Sequence, residues 1–338
     1  MTSPAPKRRA PVWQILVGIA ISAALLYASL RGIQFSQVLE YVRTARIAPM
    51  LLGVALATST FVVRIFRWQL LLRGDDGRKL EMTPLWHAIA MGFMANNTLP
   101  LRMGEVLRTF AASKLTNTRF PSVLASIAVE RLFDAIVVAA LLAIGLLTAH
   151  LPESDLSGRV AKIVTLGGVA AILGLIVAGG VVAFPLLAEQ VVRKVIPSER
   201  LAAKLVAIIE GVRHGFSALR SPARIAGVAF WSLVLWTLSA LSFYSMFVAF
   251  GISVSFSVAL LMQGLIMFGI ALPSSPGYVG VFEAPIILVL GLYQVDKNLA
   301  AAYALTYHVT TFLPITLLGA WSVFRTNLGL GSLRQSQG

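Results

Sequence analysis

The sequence predicts an all-α polytopic membrane protein, and three observations lead to that fold class. Of the 338 residues, 57% are hydrophobic and 12% are charged, which lies outside the usual range of soluble domains. Mainly apolar runs long enough to cross or enter a bilayer recur along the whole chain, with charged loops between them. No long polar linker interrupts these runs, so we expect a single membrane domain over 1–338.

In chain order, the apolar runs predict about six crossings and two shorter hairpins. The crossings are expected at 12–30, 49–72, 120–149, 160–187, 222–250 and 299–324. The first follows the basic stretch PKRRAP, and its length favours an anchor that stays over a cleaved signal. The runs at 85–100 and 253–272 each meet a proline and glycine motif, so we expect two re-entrant hairpins, the second returning through 278–292.

The distribution of Lys and Arg predicts that both termini are cytoplasmic. With six crossings, the side of the termini also holds the basic residues at 73–79 and 193–224, whereas the other side holds the acidic PESD at 152–155. Segment 189–224 has apolar residues at helical spacing between charges, which predicts either an amphipathic helix on the inner leaflet or an ordinary solvated connector. The net charge of +14 therefore points to anionic lipid and not to nucleic acid.

Two short motifs indicate that 12–149 and 160–325 are inverted repeats. LPLRMGEV begins at Leu99 and LPSSPGYV begins at Leu272, and four positions match without a gap. One hairpin would enter from the cytoplasm and the other from outside, which would leave a substrate cavity where the tips approach the midplane. Simple proline kinks in full spans are the alternative. The predicted helix breaks are Pro100, Gly104, Pro273, Pro276 and Gly277.

Ionisable residues inside the apolar runs predict an anion site. Each such group costs roughly 2.5 to 3.5 kcal/mol to insert, so it needs a partner or a task. Arginines outnumber the carboxylates near them, and a guanidinium binds phosphate with two parallel hydrogen bonds. The candidate headgroup-binding residues are Arg64, Arg67, Asn97, Arg102, Arg108 and Arg131. The candidate network or coupling residues are Glu105, Glu130, Asp134 and Glu283.

Each of these assignments has an alternative. Glu130 and Asp134 share a helical face, so we expect Arg102 or Arg108 between them, in a substrate site or in a purely structural salt-bridge network. The arginines of RIFRW could instead reach the membrane interface, and the polar NNT stretch before Pro100 could cap the next helix. Glu283 could pair with an arginine of the first half or take up a proton.

Four motifs resemble the family named for the transmembrane region of lysylphosphatidylglycerol synthase, also known as the uncharacterised family 0104 type. They are RIFRW at 64–68, NNTLPLRMGEVLR at 96–108, VERLFD at 129–134 and PSSPGYVGVFE at 273–283. The resemblance implies a multi-pass inner-membrane protein that moves a lipid, often charged or glycosylated, between leaflets. In one member an aminoacyl transferase domain follows the membrane region, whereas this chain stops at Gly338, so we do not expect lipid aminoacylation by this polypeptide alone.

The function expected from these observations is a lipid flippase or scramblase for an anionic or phosphate-bearing lipid, with glycosylated and isoprenoid lipids included. No phosphate-binding loop of the G-x-x-x-x-G-K-[ST] type occurs, so movement is passive or coupled to an ion, with Glu105, Glu130 and Glu283 as candidates. The alternatives are an intramembrane enzyme acting on a lipid phosphate and a secondary transporter of a soluble anion. We expect no catalytic residues, metal or cofactor. The expected partners are membrane lipids and a lipid-modifying enzyme.

Overall fold

The computed structural model describes residues 12–99, 103–154, 185–196, 221–271 and 274–328, with a few single residues and pairs between 158 and 206. These residues form helices joined by turns, and the one isolated β-bridge among them joins Arg73 to Lys79. The helices described are α1 (Val12–Leu30), α2 (Phe35–Thr44), α3 (Ile47–Leu71), α4 (Met82–Thr98), α5 (Gly104–Thr116), α6 (Phe120–Thr148), α7 (Pro185–Val195), α8 (Pro222–Ala249), α9 (Phe256–Ala271), α10 (Glu283–Leu292) and α11 (Lys297–Thr326).

Three of these helices, α3, α8 and α11, are long and apolar enough to cross a membrane. A fourth span is present if α1 and α2, which meet at a bend of 80°, count as one. The predicted crossings at 49–72, 222–250 and 299–324 agree with α3, α8 and α11 to within two residues, and α6 occupies the crossing expected at 120–149. The predicted crossing at 160–187 and most of the predicted amphipathic helix lie outside the described residues.

Helix α8 packs antiparallel to α3 along much of its length and contacts the start of α11 near its own end. Near the start of α3, Gly53 accepts a hydrogen bond of 2.6 Å from the Ser242 hydroxyl near the end of α8. Near the other end of α3, Phe66 stacks on Trp231 at 5.3 Å. On α11, Tyr303 donates to the Phe243 carbonyl at 2.9 Å. Helices α3 and α11 therefore run parallel, and both end on the same side of the bundle.

Helices α4 and α5 form a close antiparallel hairpin after the end of α3. The backbone N–H of Gly104, at the start of α5, donates to the Asn96 side chain at 2.8 Å. A Cβ at Gly104 would lie 2.0 Å from the Gly92 carbonyl oxygen, so the approach requires glycine. With 17 and 13 residues, both helices are shorter than the roughly 20 residues that a full crossing needs.

A second antiparallel hairpin is formed by α9 and α10 after the end of α8. These helices have 16 and 10 residues, and a 3₁₀ turn at Pro276–Tyr278 lies in the bend between them. The chain turns there through positive φ angles of 73° at Gly277 and 84° at Gly280. The breaks predicted at Gly104, Pro276 and Gly277 therefore lie at helix ends or in bends, whereas Pro100 and Pro273 are outside the described residues.

The two hairpins enter the bundle from opposite ends and touch at their tips. One follows the end of α3 and the other follows the end of α8, and these ends are on opposite sides because α3 and α8 are antiparallel. A Cβ built on Gly277 would lie 3.4 Å from the carbonyl oxygen of Asn97 and 3.1 Å from the Phe312 ring. Both tips therefore meet α11 inside the bundle.

Candidate functional site

Seven charged residues from three helices meet in the first half of the bundle, and we call them the charged cluster. Helix α3 contributes two arginines, α5 contributes one arginine and one glutamate, and α6 contributes one arginine and two carboxylates. Most are buried; Arg67 and Glu130 have no exposed surface. The members are Arg64, Arg67, Glu105, Arg108, Glu130, Arg131 and Asp134.

Glu130 is the centre of the charged cluster. Arg108 donates to both of its carboxylate oxygens, each at 2.8 Å. Nη2 of Arg67 lies 3.1 Å from Glu130 Oε1, and Arg131 donates to the same oxygen at 2.8 Å. A buried carboxylate with this many charge-assisted hydrogen bonds stays ionised and fixes the relative positions of α3, α5 and α6.

Asp134 extends the charged cluster to α8. Its carboxylate accepts hydrogen bonds from Arg67 and from the indole N–H of Trp236, the latter at 2.9 Å. Arg67 also donates to the Ser232 hydroxyl at 3.0 Å. The full burial of Arg67 excludes the interfacial position that the sequence left open for it. Its guanidinium instead links α3 to both α6 and α8.

The Trp68 ring packs against the Arg108 side of the charged cluster. The guanidinium carbon of Arg108 lies 3.9 Å from the centre of the Trp68 ring, which is a cation–π geometry. The Trp68 indole N–H donates to the Ser126 hydroxyl at 2.9 Å. The sequence predicted Arg102 or Arg108 between the paired carboxylates, and Arg108 does bind Glu130. Asp134 is bound by Arg67, which that prediction did not name. Arg102 lies outside the described residues.

Arg64 is the least neutralised member of the charged cluster. Its nearest carboxylate oxygen, Glu130 Oε1, is 4.0 Å away, and that oxygen already binds other arginines. Its Nε and Nη1 atoms are buried without a hydrogen-bond acceptor among the described residues. The guanidinium lies over the Phe93 ring at 4.8 Å. With four arginines and three carboxylates, the charged cluster carries one excess positive charge, and Arg64 is where that excess is least compensated.

A cavity of about 210 Å³ begins beside Arg64 and extends between α3, α8, α9 and α11. Its other walls include Trp236, Gln263 and the rings of Phe282 and Tyr307. Gln263 is 2% exposed and its carbonyl oxygen has no donor among the described residues. The cavity therefore places the poorly neutralised Arg64 guanidinium and the unpaired Gln263 oxygen among mostly apolar side chains.

Glu283, the only predicted site residue of the second half, is paired with a histidine. Its carboxylate contacts His308 Nδ1 on α11 and accepts the Gly280 backbone N–H at 2.7 Å. The carboxylate is 2% exposed and the His308 side chain is 12% exposed. The arginine partner considered from the sequence is thus replaced by a histidine. The alternative of proton uptake stays open at this pair.

Other residues at the site depart from the sequence prediction or were missed by it. Asn97 donates to the Thr316 hydroxyl at 2.9 Å and so holds the hairpin tip to α11 instead of capping a helix. Sequence reasoning missed Trp236, Gln263 and His308, which come from distant helices. Only His308 carried a usable signal, because an ionisable residue inside an apolar span is a candidate functional residue on its own.

The profile of the family described as the lysylphosphatidylglycerol synthase TM region matches residues 15–319. The chain belongs to this family. That match includes all members of the charged cluster, the cavity and the Glu283–His308 pair. Membership agrees with the resemblance read from the four sequence motifs, and it establishes a membrane protein of this type.

Two proteins that are similar to this chain show how much of its length the similarity covers. The UPF0104 membrane protein of Methanothermobacter thermautotrophicus is 25% identical over 316 residues, which cover 89% of this chain and 90% of that protein. The glycosyltransferase AglD of Haloferax volcanii is 24% identical over 349 residues, which cover 94% of this chain. This chain spans 55% of the length of AglD.

Proposed function

We propose that this family member moves a lipid with an anionic, phosphate-bearing headgroup between the leaflets of the inner membrane. The observation that carries the proposal is Arg64, a buried guanidinium with two unpaired nitrogens at the wall of a cavity. Such a group is costly at membrane depth unless an anion visits it. A phosphate oxygen is the partner that its geometry suits best.

The cavity size supports entry of the headgroup alone. Its volume of about 210 Å³ equals the volume that about seven water molecules occupy in the liquid, at roughly 30 Å³ each. Pockets that enclose drug-sized molecules begin at roughly 300 Å³, so a whole lipid would not fit. In this mechanism the headgroup phosphate enters beside Arg64 while the hydrocarbon chains stay in the bilayer, and the Arg64 guanidinium lowers the cost of desolvating the phosphate.

The proposal includes an inverted repeat of 12–149 and 160–325 with two re-entrant hairpins. It is supported by two short hairpins that start from opposite ends of the bundle and touch at Gly277 and Asn97. Six crossings with cytoplasmic termini are part of the same proposal. Basic residues follow α3 at Arg73 and Arg78 and end α11 at Arg325, and these two helices end on the same side.

An enzyme acting on a lipid phosphate is the competing function, and the similarity to the glycosyltransferase AglD is the observation in its favour. The paired carboxylates Glu130 and Asp134 would be the metal ligands of such an enzyme. Their oxygens are already bound by Arg67, Arg108 and Arg131, which would repel a divalent cation. We therefore favour translocation without catalysis, and we include a glycosylated headgroup among the substrates.

The test is headgroup transfer in vesicles reconstituted with the purified full chain. Fluorescent phosphatidylglycerol is placed in both leaflets, and a membrane-impermeant quencher reports the fraction that reaches the outer leaflet. We expect Arg64→Gln to slow transfer by about tenfold or more, because a charge-assisted hydrogen bond to the headgroup is lost. Arg43→Gln, which removes an exposed arginine on α2, is the matched control and should leave the rate unchanged.

Three results would overturn this function. One is equal transfer by wild-type protein and by Arg64→Gln with both variants folded. Another is turnover of the lipid into a new species by the purified protein, which would favour the enzyme. The third is uptake of a soluble phosphate compound into vesicles, without lipid transfer, which would identify a transporter of soluble anions.

A further inference from the structure

The Glu283–His308 pair lies in a part of the bundle that contains few other charges. Helices α1, α9 and α10 contain no Lys, Arg or Asp within their described bounds, and Glu283 is their one carboxylate. Helix α4, whose tip touches the bend before Glu283, carries no Lys, Arg, Asp or Glu. Within the described parts of these helices, Glu283 at the start of α10 and His308 at the middle of α11 are thus an acid and a base with no other charged side chain beside them.

The pair lies directly behind one wall of the cavity. The Phe282 ring, which lines the cavity, packs against the His308 ring with centroids 4.5 Å apart. Tyr307, which precedes His308 in the chain, also lines the cavity and stacks on Phe282 at 6.0 Å. One layer of aromatic rings therefore separates the acid–base pair from the space beside Arg64.

The charged and titratable groups that face this region come from three elements. Tyr303 and Tyr307 face it from α11, Tyr278 faces it from the bend, and Arg64 lies at the far end of the cavity on α3. Phenols ordinarily titrate near pH 10, and arginine remains charged throughout the physiological range. Glu283 and His308 are therefore the remaining acid and base among the described residues around this part of the cavity.

Electrostatics fixes the direction of the link between the pair and the cavity. With Nδ1 of His308 bound to Glu283, Nε2 is the ring nitrogen left to take up a further proton, and the His308 side chain is partly exposed. An anion that enters the cavity adds negative charge on the other side of the aromatic layer, in a medium of low dielectric constant. That charge favours the state of the pair with one more proton. By linkage, the added proton must strengthen anion binding by the same factor.

We propose that the Glu283–His308 pair is a proton-binding site that takes up a proton from water when an anionic headgroup enters the cavity beside Arg64. The inference rests on the proposed function, since it takes the cavity as the headgroup site. A proton bound by the pair would also weaken the acceptor of the Gly280 backbone N–H, because Glu283 accepts that hydrogen bond at a residue with a φ of 84°. The pair thus joins headgroup entry to the backbone of the hairpin tip.

The test is calorimetry of anion binding by the full chain in detergent. The probe is dihexanoylphosphatidylglycerol, a phosphodiester whose own charge does not change between pH 6 and pH 8. Titrations in two buffers that differ in ionisation enthalpy count the protons taken up for each anion bound. We expect uptake by the wild type and an affinity that falls about fivefold or more from pH 6 to pH 8.

Glu283→Gln and His308→Gln should both bind the probe without proton uptake and without that dependence on pH. His87→Gln is the matched control, because His87 contacts Ser322 near the far end of α11, and it should behave as the wild type. Binding by the wild type without proton uptake would overturn this inference and leave the proposed function intact. Absence of any binding would count against both. Proton uptake that persists in folded Glu283→Gln and His308→Gln would overturn the inference, because another group would then bind the proton.

Discussion

Arg108 and Glu130 form a two-armed ion pair, with both hydrogen bonds at 2.8 Å, between the short helix α5 and the long helix α6. Arg108 is 2% exposed and Glu130 is fully buried. The pair joins α5, the second helix of the first hairpin, to α6. Loss of the pair should therefore show how much α6 contributes to the stability of that hairpin. Four changes test the contacts that hold the charged cluster and the first hairpin in place.

Arg108→Met should destabilise the protein by about 3 to 5 kcal/mol, because it leaves a buried carboxylate short of its main partner. The free energy of unfolding in mixed micelles measures this change. Arg119→Met is the matched control, because its pair with Asp75 is on the surface and its side chain is 80% exposed. We expect the control to cost about 0 to 1 kcal/mol. Equal losses for the two variants would show that burial of Arg108 is unimportant.

Arg64→Met should change the free energy of unfolding by less than about 1 kcal/mol, or raise it, since removing a poorly paired buried charge leaves no carboxylate without a partner. Glu130 keeps three other arginines in the variant. The same unfolding measurement applies, with Arg67→Met as the comparison that should be strongly destabilising. A large loss in Arg64→Met would mean that Arg64 is a structural part of the charged cluster and not a free site.

Gly104→Ala should prevent the first hairpin from closing, because the new Cβ would lie 2.0 Å from the Gly92 carbonyl oxygen. We expect a loss of several kcal/mol or failure to accumulate in the membrane, followed by thermal unfolding of any purified protein. Gly291→Ala is the matched control, since no atom lies within 4 Å of its Cβ position. That control should be neutral or stabilising by up to about 1 kcal/mol. A stable Gly104→Ala protein would rule out the close α4–α5 contact.

The hairpin tip at Asn97 should cross-link to α11. The sequence contains no cysteine, so the double variant Asn97→Cys with Thr316→Cys has a clean background. The native side chains meet at 2.9 Å, and a short thiol cross-linker should join the two positions rapidly. Thr98→Cys with Thr316→Cys is the control, because the Thr98 hydroxyl bonds to its own helix at Met94 and its side chain is exposed. Comparable cross-linking of both pairs would argue against a fixed tip.

Apolar run length was sufficient to predict the long helices. The bounds of α3, α8 and α11 follow from where hydrophobic composition begins and ends, because each of these helices must cover the hydrocarbon layer. The proline and glycine motifs likewise predicted bends, because proline removes a backbone donor and glycine tolerates positive φ. These are local properties, so one sequence is enough to read them.

The partners of the buried charges could not be predicted in the same way. Helical spacing showed that Glu130 and Asp134 share a face of α6, but not which helix that face meets. The contact of Asp134 with Trp236 spans 102 residues and depends on how α6 packs on α8. The pairing of Glu283 with His308 likewise depends on the approach of α10 to α11. Such contacts are properties of the packed bundle and have no local signature in the chain.

The unequal bonding around the two hairpins has a mechanical consequence. Several guanidinium groups form ion pairs at α5 and its neighbour α6. Among the described residues, α10 forms one ion pair, between Glu283 and His308, beside a bend with two glycines at positive φ. Displacing α5 would separate several buried charges at once, whereas displacing α10 would separate one buried ion pair and the apolar contacts of residues such as Ile286 and Leu290. Any displacement of one hairpin relative to the other should therefore be larger in the second half, where fewer buried charges have to be separated.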